Sequence, residues 1–233
     1  MAVKSNLILL LIVAFSLGTL KQVRAQEKTS FLGLNAGYSI PFGKYRSTNL
    51  EDGSFALTGM NFNGEGAWFF HPKFGVGASA GFSLNPVYVS VLGWEKVQED
   101  PFLVDLTIRS DPYLVITGMA GLYTKLPVYK KFYFSGKLLG GLLYGRTPYQ
   151  LYKPQYFLQG PAYYEITSAK DWKFSWQAGA GIIYDISPSV SLILEGVVQY
   201  DQLSFNFRTA NGTKTVVHTI SLVNTTLGFR INL

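Results

Sequence analysis

Few side chains in this chain could do chemistry, and their spacing is restrictive. Histidine occurs twice, at His71 and His218, and cysteine not at all. Disulfides, thiolate metal sites and a cysteine nucleophile are excluded, and two histidines this far apart give no ligand cluster. A serine activated by a histidine can transfer acyl groups, and Ser221 follows His218 by three positions. On a strand, residues three apart project to opposite faces, so these two form no catalytic pair. His71 precedes Pro72 in what reads as a tight turn, where solvent is its expected neighbour. No catalytic residue, cofactor or metal ligand is assigned.

Two other groups could recognise or support rather than react. Glu65, Lys137, Glu195 and Arg230 are charges set in segments otherwise poor in charge. Tyr149, Tyr152, Tyr156, Phe157, Tyr163 and Tyr164 crowd one stretch, with Lys153 and Lys170 beside them. Exposed aromatics gathered on one loop can mark a recognition surface. They can equally pack on one another to steady a long loop.

The elements that must position these groups are strands. In 31–40, Leu32, Leu34, Ala36, Tyr38 and Ile40 alternate with Gly33, Asn35, Gly37 and Ser39, the period of two that gives a strand one apolar face. The pattern returns at 55–70, 74–85, 172–185, 190–200 and 219–233, and less cleanly at 113–126 and 132–146. Eight strands result, joined alternately by tight turns (71–73, 128–131, 187–189) and long connections (41–54, 86–112, 147–171, 201–218). All ten prolines fall in connections or at strand ends, as they must if every strand interior is hydrogen-bonded on both sides. Alternating short and long connections describe an up-and-down meander. Within the long connections, 87–94 against 102–109 and 203–208 against 213–218 read as hairpins continuing beyond the rim.

The composition decides which face points where. Charged residues make up 15% of the chain, well below the roughly 25% of ordinary soluble domains. The 24 glycines and 36 Phe, Tyr and Trp residues are spread along the whole length. Small polar residues on one strand face suit the crowded interior of a narrow barrel, and bulky apolar ones on the other suit lipid. Aromatics gather near strand ends, at Trp68, Phe70, Phe74, Phe132, Tyr133, Tyr184 and Phe229 toward the short turns. Toward the long connections stand Tyr38, Phe55, Tyr113, Tyr144, Trp172 and Tyr200. That arrangement predicts two interfacial girdles. Lys4, the apolar run Leu7 to Phe15 and the small residues up to Ala25 form a secretory signal, expected to be cut between Ala25 and Gln26. The fold class is therefore all-β, an eight-stranded antiparallel up-and-down transmembrane β-barrel spanning 26–233 after a signal peptide at 1–25. Removing Lys4, Lys21 and Arg24 leaves 17 basic against 14 acidic residues, too even a balance for nucleic-acid binding.

The segments Gly33-Leu34-Asn35-Ala36-Gly37-Tyr38-Ser39-Ile40-Pro41, Gly75-Val76-Gly77-Ala78-Ser79-Ala80-Gly81-Phe82 and Leu227-Gly228-Phe229-Arg230-Ile231-Asn232-Leu233 resemble the small outer-membrane β-barrel proteins of Gram-negative bacteria, the OmpA-like and OmpX-like barrels, in their Bacteroidota form. The resemblance covers nearly all the mature chain as pattern rather than as one motif. It implies an outer-membrane location, lipid and lipopolysaccharide as neighbours, the barrel-assembly machinery as a partner during insertion, termini in the periplasm, and long loops outside that meet an extracellular ligand still to be identified. Family members usually end on an aromatic residue, whereas this chain ends on Leu233. A narrow passive channel, a lipid-modifying enzyme and a soluble secreted ligand-binding barrel are the alternatives. One further expectation comes from counting. Glu65, Lys137, Glu195 and Arg230 lie on the inward face roughly three to six residues from the short-turn ends, so at about 3.4 Å per residue they share one layer. Glu195 and Arg230 stand on neighbouring strands and could pair directly, while Glu65 and Lys137 are expected to reach across the lumen and complete a plug.

Overall fold

The computed structural model describes residues 30–157, 163–209 and 212–233. The expected signal peptide at 1–25 lies outside the described residues. Eight strands close a ring: β1 (Ser30–Pro41), β2 (Gly59–His71), β3 (Phe74–Asn85), β5 (Tyr113–Tyr129), β6 (Phe132–Arg146), β9 (Lys170–Ser187), β10 (Val190–Thr209) and β11 (Gly212–Asn232). Each pairs antiparallel with its neighbours in chain order, and β1 closes the ring on β11 from Phe31 opposite Asn232 to Pro41 opposite Leu222. The long connections add helix α1 (Val89–Glu99) and a separate sheet ordered β4 (Leu103–Ser110), β7 (Gln150–Tyr156), β8 (Tyr164–Ile166). No helix among the described residues is long and apolar enough to cross a membrane.

The alternation places the faces as the residue types require. Gly33, Asn35 and Ser39 turn inward on β1 while Leu34 is 76% exposed, and Phe174 on β9 is 72% exposed beside inward Ser175 and Gln177. The barrel is thus apolar outside and polar inside, the reverse of a soluble barrel, and hydrocarbon is the solvent that suits its wall. Trp68, Phe70, Phe74, Phe132, Tyr184 and Phe229 stand exposed toward the short turns, and Tyr38, Trp172 and Tyr200 toward the other end.

Three of the residues assigned to the girdles are elsewhere. Phe55 precedes β2, which begins only at Gly59, and is buried under the first long connection. Tyr113 points inward and stacks edge-on against buried Tyr45, with centroids 5.3 Å apart and planes at 68°. Tyr133 shares the inward face with Ser135 and Lys137, and the Lys125 ammonium sits 4.1 Å from its ring centroid. In each case a polar partner or a covering loop accounts for an aromatic that strand position alone would have sent to lipid.

The second long connection also departs from expectation. Residues 89–99 form helix α1, not a strand, and β4 pairs with β7 from the following connection, Ile108 opposite Tyr152. Leu92 is the buried side chain of α1 and Val89 and Val97 pack against the same core, at i, i+3 and i+8, the spacing of one helix face. Gly93 allows the approach, because a Cβ there would lie 3.1 Å from the Leu106 carbonyl oxygen. The final hairpin does continue past the rim as expected, with Leu203 opposite His218 and Phe207 opposite Lys214.

Candidate functional site

The four inward charges meet. Lys137 Nζ lies 2.9 Å from Glu65 Oε2 and also contacts Glu195 Oε1. Arg230 donates to Glu65 Oε1 from Nε at 3.2 Å and from Nη2 at 2.7 Å, and its Nη2 is 3.8 Å from Glu195 Oε2. All four side chains are 3% exposed or less. Two carboxylates and two cations therefore form a ring across the lumen in which each acid faces both bases. A charge held out of water is tolerated only when paired and hydrogen-bonded, and here every charge is paired.

The ladder register explains how the ring closes. Gly33 lies opposite Arg230 on one side and Glu65 on the other. A Cβ at Gly33 would stand 3.0 Å from Arg230 Cγ and 3.6 Å from Glu65 Cγ, so the missing side chain lets the guanidinium and the carboxylate meet over the strand between them. Glu65, not Glu195, is consequently the principal partner of Arg230. Lys137 is admitted in the same way by Gly179, whose Cβ would approach Lys137 Cγ and Cε to 3.0 Å.

Two supporting residues had no clear signal in the sequence. Tyr123 donates its hydroxyl to Glu65 Oε2 at 3.4 Å, but its strand is apolar on both faces and gave no inward direction. Phe31 places its ring 4.0 Å from the Arg230 guanidinium carbon and stands edge-on to Tyr123, with centroids 5.9 Å apart. With Phe69 they form an apolar floor on the short-turn side. On the other side Gln199 and Ser175 hydrogen-bond Asp201, with Leu222 opposite Gln199 and Leu143 and Leu203 further toward the long loops, all three leucines fully buried.

The loop aromatics divide. Tyr152 is buried, lies parallel to Tyr164 with centroids 4.7 Å apart, and donates to Gln150 Oε1 at 2.7 Å. Tyr149 is bound through its hydroxyl to Glu165, and Tyr156 is half-buried in β7. These steady the loop sheet. Phe157 and Tyr163 remain on the surface, with the Lys153 ammonium 5.6 Å from the Tyr163 ring centroid.

The two histidines lie in separate surroundings. His71 is an exposed turn residue whose Nδ1 accepts from the Lys73 N–H at 3.2 Å. Ser221 donates to the Phe42 carbonyl, on the opposite side of β11 from His218. His218 instead meets Ser54, Nδ1 to Oγ at 3.1 Å, a contact between the last strand and the first long connection that no local spacing could announce. The Ser54 N–H donates to Lys44 O and the Phe55 N–H to Ser47 O. Both backbone donors next to that serine are thus occupied, whereas acyl transfer needs donors aimed at a developing oxyanion. Among the described residues no cluster of His, Asp or Glu has the arrangement of a metal site.

The class of molecule so defined is a closed eight-stranded transmembrane barrel with a packed, charge-compensated lumen and a folded cap on its long-loop end. No protein-family model and no curated protein matches the chain. Among solved structures it is similar to OprG from Pseudomonas aeruginosa, an outer membrane protein, at 11% identity and a TM-score of 0.45 over 91% of this chain and 100% of that one. It is also similar to the attachment invasion locus protein Ail of Yersinia pestis, at 16% identity and a TM-score of 0.44 over 87% of this chain and 99% of that one. A third is Neisserial surface protein A, at 11% identity and a TM-score of 0.43, covering 88% and 97% of the two chains. These likenesses are of strand arrangement.

Proposed function

We propose that the chain is an outer-membrane barrel exported by its first 25 residues, inserted by the barrel-assembly machinery among lipid and lipopolysaccharide, and working as a closed scaffold that presents its long-loop end as a binding surface. The observation that carries this reading is the ring of Glu65, Lys137, Glu195 and Arg230, whose side chains fill the lumen with mutually compensated charge. Eight strands leave a lumen just wide enough for side chains to fill. A pore would need an unbroken column of water through that layer, and the paired groups occupy it. Planar bilayer recordings of the wild type are expected to show little or no steady conductance. Large, stable channels would reject the closed scaffold in favour of a narrow pore.

The orientation has its own test. Long loops face the outside and short turns the periplasm in barrels of this class, and Phe157 is 81% exposed at the tip of the loop sheet. A protease site or epitope inserted beside Phe157 should be reached on intact cells, and one inserted at Tyr129-Lys130 should be reached only after the outer membrane is opened. Labelling confined to the short turn in unbroken cells would invert the barrel.

A further inference from the structure

The plug leaves one feature of the loop end unused. Above the sealed lumen lies a cavity of about 600 Å³, within the range of roughly 300–1,000 Å³ typical of small-molecule sites. Its floor is Ser54 and His218, hydrogen-bonded to each other, with the His218 ring edge-on to buried Phe205. Helix α1 closes one side through Leu92 and Lys96, the β7 and β8 strands a second through Gln150, Tyr152 and Ile166, and the extended β10–β11 hairpin a third through Phe207, Lys214 and Val216. Four connections distant in sequence thus converge on one chamber.

The lining is unequal in character. Phe55, Val87, Leu92, Ile166, Phe207 and Val216 present a largely apolar wall. Against it stand two ammonium groups, Lys96 and Lys214, and neither has a carboxylate within ion-pair distance among the described residues. Lys96 is held over the chamber, 5.7 Å from the Tyr152 ring centroid. The one acid in the wall, Glu165, accepts the Tyr149 hydroxyl and keeps its charge, so the chamber carries two cations against one anion. Two lysines without an ion-pair partner, against the single carboxylate of Glu165, leave a net positive charge that favours an anion, and the apolar wall beside them favours a hydrophobic body attached to it. Inorganic anions and polyanions would leave that wall wet. Uncharged apolar molecules would leave the lysines without a partner.

We infer that this chamber binds a small amphipathic carboxylate, its apolar part against the Phe55 and Phe207 side and its carboxylate toward Lys96 and Lys214. The bound molecule stays at the loop end, because Leu143, Leu203 and Leu222 seal the lumen beneath. The site rests on the reading of the loop end as the binding face of a closed barrel, and it makes that face a receptor for a small molecule.

The test uses the full-length mature barrel in lipid nanodiscs, with 4-phenylbutyrate as the probe and heat of binding as the readout, corrected for empty nanodiscs. Saturable binding of one equivalent per barrel is expected. The uncharged 4-phenylbutanol should bind at least tenfold more weakly, and inorganic phosphate should give no saturation. The double variant Lys96→Met/Lys214→Met should lose at least tenfold in affinity for phenylbutyrate while keeping the heat-dependent gel mobility of a folded barrel. Absence of saturation with phenylbutyrate would overturn the site, as would equal affinity for the alcohol or an unchanged double variant. Bilayer recordings on the same preparation separate the two readings. Steady wild-type conductance with binding intact would overturn the closed scaffold alone, and a silent lumen with no binding would overturn the chamber alone.

Discussion

Glu65→Gln is expected to lower the free energy of unfolding by about 3–5 kcal/mol, the cost of breaking a buried ion pair by removing one partner. Glu65 is the hub of the ring, since it accepts from Lys137, from two nitrogens of Arg230 and from the Tyr123 hydroxyl. The amide has nearly the same volume, so no cavity forms and the loss reports charge rather than packing. Two cations would then share Glu195 in an interior where neither reaches water. Combining Glu65→Gln with Arg230→Met restores one acid to one base and should recover most of the deficit, because an intact buried pair exchanged for apolar groups is often neutral in stability. Urea unfolding in phospholipid vesicles, followed by tryptophan fluorescence, gives both numbers. A loss below about 1 kcal/mol for the single variant, the scale of solvated ion pairs, would show that trapped water and not pairing stabilises the charges. The single variant should also admit water at the broken layer and raise conductance above that of the wild type.

The position of that ring could be read from residue types and strand counts, and so could the reach of Glu65 to Lys137 across the lumen, whereas the close Glu65–Arg230 pair could not. Counting from the short turns places all four charges at similar depth, and they do meet. Glu195 and Arg230 do come within ion-pair distance at 3.8 Å, but register makes Glu65 the closer partner: Glu195 lies opposite Thr226, and Arg230 lies opposite Ser191. Strands in a closed barrel are staggered along one another, so equal counts from neighbouring turns do not mean the same row. The row that Arg230 does share runs through Gly33 to Glu65, across a strand with no side chain there to obstruct the contact.

The cap was readable only in part for a related reason. Val87, Val89 and Val91 alternate as a strand would, yet 89–99 is helical, and β4 takes its partner from a connection some forty residues further along the chain. Strand preference is decided by the neighbours available to pack and pair, and those neighbours come from other loops. The same holds for Ser54 with His218 and for Tyr45 with Tyr113. The barrel wall was readable because its signals are local, an alternation of two along each strand and a turn between neighbours. The cap is built from contacts between connections, which leave no periodic trace.

The wall itself offers a test in which steric effects cancel. Gly118 faces outward at mid-height, opposite Ala80 on one side and Leu142 on the other, and a Cβ added there would meet nothing within 4 Å. Leucine and arginine can therefore both be placed at this position without disturbing the lumen, and their difference reports the surrounding solvent. If that solvent is water, the two variants should agree to within about 0.5 kcal/mol, as exposed surface substitutions usually do. If it is hydrocarbon, arginine near the midplane costs about 2–4 kcal/mol, while leucine joins the apolar belt of Leu34, Phe82 and Leu142 around it. Gly118→Leu is accordingly expected to be neutral or stabilising, and Gly118→Arg to fall below it by about 2–4 kcal/mol when both are unfolded in lipid vesicles. Phe82→Arg, one row nearer the long-loop end, should fall in the same direction, with the further loss of its stacking on Phe62 at 5.4 Å between centroids. Equal stabilities for Gly118→Leu and Gly118→Arg would mean that this face meets water, and the membrane assignment of the barrel would fail with it.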